Sequence, residues 1–331
     1  MLVLLLFMHF CTSRKSPARY FYNGNRPLVI AHRGACGYIP EHTLQAYETA
    51  AYMGADFIEP DLVPTKDFKL VVNHESLLDQ TTNVNEMPQF SYLQTTKSIP
   101  TYEGILTQTG WFSEDFSLDQ IKQLKAKQRI RTRPQGMNLY FGKLTIEEVL
   151  DWVIGVNKIR LIEGTPLLGV YIELKDSAYF NSLGFNVEDM LLDVLKDRKI
   201  DSIEGASMIC PIILQSFELQ SLITLGNKTD LPLVYLLEEG YILHNISYYA
   251  NFVDGVGPGF NLIFDEKCSL TDFVDIAHEN NLAVHMWVVK KDKPFCGFEQ
   301  EETYKKILDS HVDGVFDEFP DLSIYYFTHI I

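Results

Sequence analysis

The chain is short of positive charge and of cysteine, and it contains no apolar run long enough to cross a bilayer. Its 28 lysines and arginines face 44 aspartates and glutamates, a formal net charge of −16 over 331 residues. That balance argues against a nucleic-acid backbone as partner, because such binding needs a basic stripe to displace counterions. An anionic substrate would have to be met by a bound cation or by a few concentrated basic side chains. The five cysteines, Cys11, Cys36, Cys210, Cys268 and Cys296, include no C-x-x-C pair, which argues against a zinc site. Cys36 reads as a small buried residue. If Cys11 leaves with a signal peptide, four cysteines remain and could pair, with the connectivity open. No repeat of solenoid period and no flexible linker divides the chain, and a 46% hydrophobic composition is enough for one large core.

The longest apolar run stands at the N-terminus, MLVLLLFMHFCTS. Residues 2–10 have the length of a signal-peptide core and are followed by small residues, so residues 1–13 are expected to be a signal peptide. A spanning helix needs about 20 apolar residues, so neither a transmembrane span nor a C-terminal anchor tail is expected. The sequons Asn227-Lys228-Thr229 and Asn245-Ile246-Ser247 agree with a secreted or secretory-pathway protein. Without a functional signal the chain would be cytoplasmic. The oligomeric state is left open.

From residue 27 onward, short apolar runs alternate with amphipathic stretches. Residues 27–33, 56–63, 69–74, 167–174, 211–217, 231–237, 254–258, 282–289 and 313–320 read as strands. Thr43 to Met53 has helical spacing closed by Gly54. Thr145 to Val156 reads as a helix, with Thr145 as N-cap and Glu148 as its capping-box partner, and further helical patterns cover 270–280 and 302–310. Near-continuous apolar strands joined by helices imply a parallel sheet buried on both faces. One strand per βα unit gives about eight, so the expected fold is α/β, a (β/α)₈ TIM barrel spanning residues 27–325. Residues 76–144 break the alternation. They carry polar turn-like clusters, several aromatic residues and one short helical pattern, Leu118 to Lys127, and are expected to form a long insertion on the catalytic face.

In such a barrel the residues ending each strand meet at one mouth. The polar groups that interrupt strand ends here are His32 and Arg33, Glu59 and Asp61, His74, Glu173 and Lys175, Gln215, and Trp287. Glu59 and Asp61, two apart on a strand, share a face. Like charges that close repel, and a bound cation keeps both ionised. Glu173 would complete an all-oxygen set suited to calcium, magnesium or manganese rather than zinc. Taken singly, each piece has a plain structural explanation: a solvated strand face, a capping histidine, a local ion pair, a core tryptophan. Together they would carry a heavy desolvation cost without a functional return.

The motifs HRG…PEHT, GADFIEPD, VVNHESLLDQTT, YIELK, QSF and the closing VDGVF…FP resemble the glycerophosphodiester phosphodiesterase family over essentially the whole chain from residue 27. The bacterial periplasmic and plant secreted branch is the most similar. The resemblance implies catalytic histidines at His32 and His74, metal carboxylates at Glu59, Asp61 and Glu173, and phosphate-contacting cations at Arg33 and Lys175. The chain departs from the family pattern in reading PEHT for PENT, with His42, in Glu75 after His74, and in Asp317-Glu318-Phe319-Pro320 for TDFP. It also departs at HMWVVK, residues 285–290, where the alcohol contacts are expected. The implied reaction is metal-dependent hydrolysis of a glycerophosphodiester such as glycerophosphocholine to sn-glycerol 3-phosphate and an alcohol, with calcium or magnesium as the cation. Two other readings fit the same chain. One is a lysophospholipase D, with an apolar entrance supplied by Phe90, Tyr92, Tyr102, Trp111 and Phe112. The other is a non-catalytic barrel kept as a binding protein, against which the intact site residues speak.

Overall fold

The structure is a computed structural model that describes residues 26–101, 104–240, 242 and 244–329. The expected signal peptide, Cys11 and Tyr102 lie outside the described residues. Twelve strands are present among them: β1 (Leu28–His32), β2 (Phe57–Glu59), β3 (Asp61–Pro64), β4 (Leu70–Val72), β5 (Thr95–Thr101), β6 (Gly104–Gly110), β7 (Gly169–Leu174), β8 (Ile212–Ser216), β9 (Leu233–Leu237), β10 (Gly255–Pro258), β11 (Ala283–Val289) and β12 (Gly314–Asp317).

The barrel closes through parallel pairs in the order β2-β1-β12-β11-β10-β9-β8-β7, with β2 returning onto β7. Eight staves result, because β2 and β3 together make one. The run at 56–63 is therefore not continuous: Pro60, which has no N–H to give to a ladder, divides it, and β3 picks up β7 again at Asp61↔Glu173. That register sets two of the three clustered carboxylates side by side. The segment at 69–74 is a strand but not a stave. As β4 it turns back antiparallel onto β3, so His74 reaches the mouth from a hairpin arm. A single apolar run of this length does not reveal its direction.

Two apolar layers hold the barrel. Inside, Leu28, Ile30, Phe57, Tyr171, Ile213, Val234 and Phe316 pack together, and outside, the opposite strand faces meet the helices. The first helix, α1 (Leu44–Tyr52), is capped by the Thr43 side chain, and Gly54 follows it at φ 95°. A one-turn helix, α2 (Leu118–Ile121), is all that forms of the helix expected at 118–127, and the chain then runs through bridges to 142 and 82. Helix α3 starts at the expected capping box, Thr145 with Glu148, but runs on from Ile146 to Glu163, where Gly164 in the left-handed region stops it.

Residues 76–144 contribute no stave. They contain the β5–β6 hairpin, whose threonine- and serine-rich strands gave no apolar alternation to read, together with short 3₁₀ turns. Cys268 and Cys296 form a disulfide, while Cys36 and Cys210 are free and buried. No helix among the described residues is long and apolar enough to cross a membrane.

Candidate active site

The His-Arg-Gly turn at the end of β1 is shaped by backbone sterics. Arg33 and Gly34 both take positive φ, 60° and 83°, and a Cβ on Gly34 would lie 2.7 Å from the Ala46 backbone. Only glycine fits there. The turn delivers the Arg33 N–H to Glu59 Oε2 at 2.9 Å and places the Arg33 guanidinium 3.1 Å from Glu41 Oε1 and 3.4 Å from Asp61 Oδ2.

A cavity of about 320 Å³ opens above this turn. Its lining includes His32, Arg33, Glu59, His74, Glu173, Lys175, Gln215 and Trp287. Asp61 is fully buried beside them, so all nine residues singled out in the sequence converge. Glu59, Asp61 and Glu173 each offer a carboxylate oxygen within 4.8 Å of the others. Gln215 donates to Glu59 Oε1 at 3.2 Å. Lys175 Nζ donates to Glu173 Oε1 at 2.8 Å and lies 4.0 Å from Asp61 Oδ1.

Burial and mutual repulsion set the electrostatics of this trio. Burial, Asp61 and Glu173 push Glu59 well above the usual carboxylate range. Burial likewise raises Glu173 to about 8, against the pull of Lys175. Burial also acts on Asp61, but Lys175, His74, the His42 hydrogen bond and Arg33 outweigh it and hold that carboxyl low. Asp61 Oδ1 accepts no hydrogen bond although it is buried. An oxygen-only set with one orphaned, ionised atom and two carboxyls awaiting charge compensation fits a hard divalent cation.

Both histidines are held in defined orientations. His32 Nδ1 lies 3.2 Å from Glu318 Oε1. An ionised carboxylate only accepts, so Nδ1 carries the proton and Nε2 is left for chemistry. Burial and Arg33 lower the His32 pKa to about 4 despite Glu318. His74 Nδ1 is 3.1 Å from Glu75 Oε1, and its Nε2 is 3.3 Å from Lys175 Nζ, which only donates. Burial, Arg33 and Lys175 hold the His74 pKa well below its ordinary value. Both rings are thus neutral near pH 7, one nitrogen of each fixed as a donor.

Several partners were not anticipated from the sequence. His42 Nε2 lies 2.8 Å from Asp61 Oδ2. Glu318 holds His32, and Glu75 holds His74. These three residues are among the departures from the family pattern, so the signal lay in positions that differ. Trp287 is anchored by its Nε1, which donates to Gly257 O at 2.7 Å, and meets Phe217 edge-on at 5.5 Å. Among the described residues of 76–144, the cavity is lined by Leu77, Ile99 and Leu106 together with Ser76, Thr101 and Gln108, and by no aromatic side chain. Phe90, Trp111 and Phe112 are buried in the core, and Tyr92 is exposed away from it.

The sequence matches the glycerophosphoryl diester phosphodiesterase family over residues 32–322. The chain belongs to that family. It is 30% identical over 325 residues to a glycerophosphodiester phosphodiesterase of Arabidopsis thaliana, covering 89% of this chain and 84% of the relative. It is 31% identical over 312 residues to a glycerophosphodiester phosphodiesterase of Bacillus subtilis, covering 90% and 85%. Among solved structures, its fold resembles that of an Oleispira antarctica phosphodiesterase in complex with the product sn-glycerol-3-phosphate, with a TM-score of 0.62, 17% identity, and 92% and 97% of the two chains covered. This phosphodiesterase chain carries the site described above at the C-terminal mouth of the barrel, where such enzymes place their chemistry.

Proposed function

We propose that the protein hydrolyses glycerophosphodiesters, such as glycerophosphocholine, to sn-glycerol 3-phosphate and an alcohol, with a divalent cation, calcium or magnesium, and with His32 and His74 as acid and base. The observation that carries this reading is the convergence of Glu59, Asp61 and Glu173 with two oriented neutral histidines in one cavity. The product bound to the Oleispira phosphodiesterase is the glycerol phosphate half that this cavity would hold.

Glu59, Asp61 and Glu173 would hold the cation, which when bound supplies Lewis-acid activation and offsets phosphate charge. Arg33 and Lys175 flank the same cavity and stabilise the negative charge that builds on the phosphoryl oxygens. One histidine takes the proton of the glycerol 2-hydroxyl as its oxygen attacks phosphorus. The other takes up a proton as the anionic phosphodiester binds beside it, and as an imidazolium gives that proton to the departing alcohol as the P–O bond breaks. Water then opens the resulting cyclic phosphate with the histidines' roles reversed. Attack from within the substrate gains from proximity.

A second reading has one observation in its favour: the aliphatic wall of Leu77, Ile99 and Leu106 suits an acyl chain, so head-group removal from a lysophospholipid is the alternative. Chelator-treated protein assayed on glycerophosphocholine and lysophosphatidylcholine, with calcium or magnesium restored separately, tests both. Full activity in excess chelator defeats the metal-dependent reading. A tenfold preference for the lysolipid in kcat/KM selects the alternative. A secretory destination is part of the proposal, supported by the Cys268–Cys296 disulfide, a bond that persists in oxidising compartments.

A further inference from the structure

Two arginines of the 76–144 segment, four residues apart, each reach a buried carboxylate that in turn touches one residue of the His-Arg-Gly turn. Arg133 Nη2 donates to Glu318 Oε2 while Glu318 Oε1 engages His32 Nδ1. Arg129 Nε donates to Glu41 Oε2 at 2.6 Å while Glu41 Oε1 accepts from Arg33 Nη1 at 3.1 Å. We propose that residues 129–133 form a positioning arm, in which Arg133 acts through Glu318 on His32 and Arg129 acts through Glu41 on Arg33. The proposal rests on the functional reading above, in which His32 moves a proton and Arg33 binds phosphate.

The arm solves a specific problem at Glu318. That side chain is 1% exposed, and Lys290 Nζ lies 3.4 Å from Oε1, the same oxygen that His32 uses. A carboxylate free to rotate could turn toward Lys290 and release the imidazole. Arg133 prevents this by holding Oε2. Its own guanidinium is fixed by paired bonds to Asp292 at 2.7 and 2.9 Å and stacks 5.3 Å from Phe319. Planar, forked recognition of two carboxylates at once is what arginine does and lysine cannot. Glu41 repeats the arrangement, sitting 4% exposed between Arg33 and Arg129.

A plainer role would be to fasten the segment to the barrel. Gln128 supplies the control, since it also docks the arm, through Cys36 O at 2.9 Å, yet touches no carboxylate. If the arm positions His32, Arg133→Ala lowers kcat by about 10²-fold, the cost of misplacing a catalytic group by about an ångström, with KM little changed. Gln128→Ala, matched for loss in Tm, leaves kcat near wild type. Arg133→Lys keeps the charge but does not restore the rate. In a cycle with Glu318→Gln the double variant is no slower than the slower single one, because both act on one ring. Arg129→Ala instead raises KM by about tenfold, the loss of one charge-assisted bond behind Arg33. Ring ¹⁵N spectra give a readout free of turnover: His32 is one Nδ1–H tautomer in the wild type and a mixture in Arg133→Ala.

Equal kcat losses in Arg133→Ala and Gln128→Ala, additive losses in the cycle, or an unchanged His32 tautomer would overturn the arm. The function reading fails differently: it fails if His32→Ala turns over at the wild-type rate. If His32→Ala is inactive and Arg133→Ala is not impaired, only the arm is wrong.

Discussion

Glu59, Asp61 and Glu173 sit on barrel staves and are between 0% and 6% exposed, whereas His74 and Glu75 hang beyond a hairpin arm, with side chains 25% and 38% exposed. Beyond them the cavity wall is borrowed from β5 and β6, a two-stranded ribbon in which Leu106 is 47% exposed. The mouth therefore has a strand-built side and a loop-built side. On the first, parallel registers such as Asp61↔Glu173 hold the groups in a closed sheet, so the position of a carboxylate is set by the whole barrel. On the second, position depends on a few side-chain contacts. A two-stranded ribbon alone is marginal in stability, so that side can vary without disturbing the first.

The comparison breaks most visibly if a strand-built carboxylate turns out to be dispensable. Asp61→Asn keeps the shape and the His42 contact but removes the charge, and turnover is expected to fall by about 10³-fold, the scale on which one preorganised electrostatic contact acts. Calorimetry should show weaker binding of calcium or magnesium in the same variant. Undiminished cation affinity would remove Asp61 from the ligand set. Next come the histidines. His32→Ala and His74→Ala should each lower kcat by about 10²–10⁴-fold, and a variant of either keeping more than about a tenth of the rate loses its acid–base role.

A smaller effect separates the two sides thermodynamically. Glu173 has a folded pKa of about 8 against an ordinary 4.5, and Glu59 is raised as well. Between those limits the native, metal-free protein holds more protons than the unfolded chain, so its stability falls as pH rises. A divalent cation that replaces the protons reverses this. Its increase in Tm should therefore be small near pH 5 and grow toward pH 8, and cation binding should release protons. A metal-induced Tm shift that shrinks with rising pH would contradict the assignment of Glu59 and Glu173 as ligands.

The strand-built side was legible in the sequence because period and burial leave marks there. An apolar run interrupted by Glu59 or Glu173 is conspicuous, and the i, i+2 spacing of Glu59 and Asp61 gave their shared face even though Pro60 splits the strand. The barrel count followed from the same runs. What the sequence did not disclose was direction and partnership. Residues 69–74 read as another strand, and only the antiparallel pairing to β3 shows why His74 arrives from outside the staves. The β5–β6 hairpin went unread because its inter-strand bonds, Thr96 to Thr109 and Ser98 to Thr107, use side chains that composition assigns to turns. Glu318 stands 286 residues from His32, and a contact across that distance has no local pattern. Its only trace was a position where the family pattern changes, and the same holds for His42 and Glu75.

The finest test compares one wall residue from each side. Trp287 ends a stave, is tied to Gly257 O and braces Phe217, so its face is pre-set before substrate arrives. Removing it should weaken ground state and transition state alike: Trp287→Ala raises KM for glycerophosphocholine by about tenfold, roughly the free energy of one lost anchored contact, while kcat falls less. Leu106 belongs to the ribbon and already faces water, so Leu106→Ala forfeits little burial and should change KM for the same substrate by no more than about threefold, a fraction of a buried methylene set. The ordering is the informative part. If Leu106→Ala proves the more damaging for glycerophosphocholine, the ribbon is holding substrate and the rigid rim is not sufficient. If its effect is small there but exceeds tenfold on lysophosphatidylcholine, the aliphatic wall of Leu77, Ile99 and Leu106 is an acyl-chain surface and the second reading of the site gains the advantage.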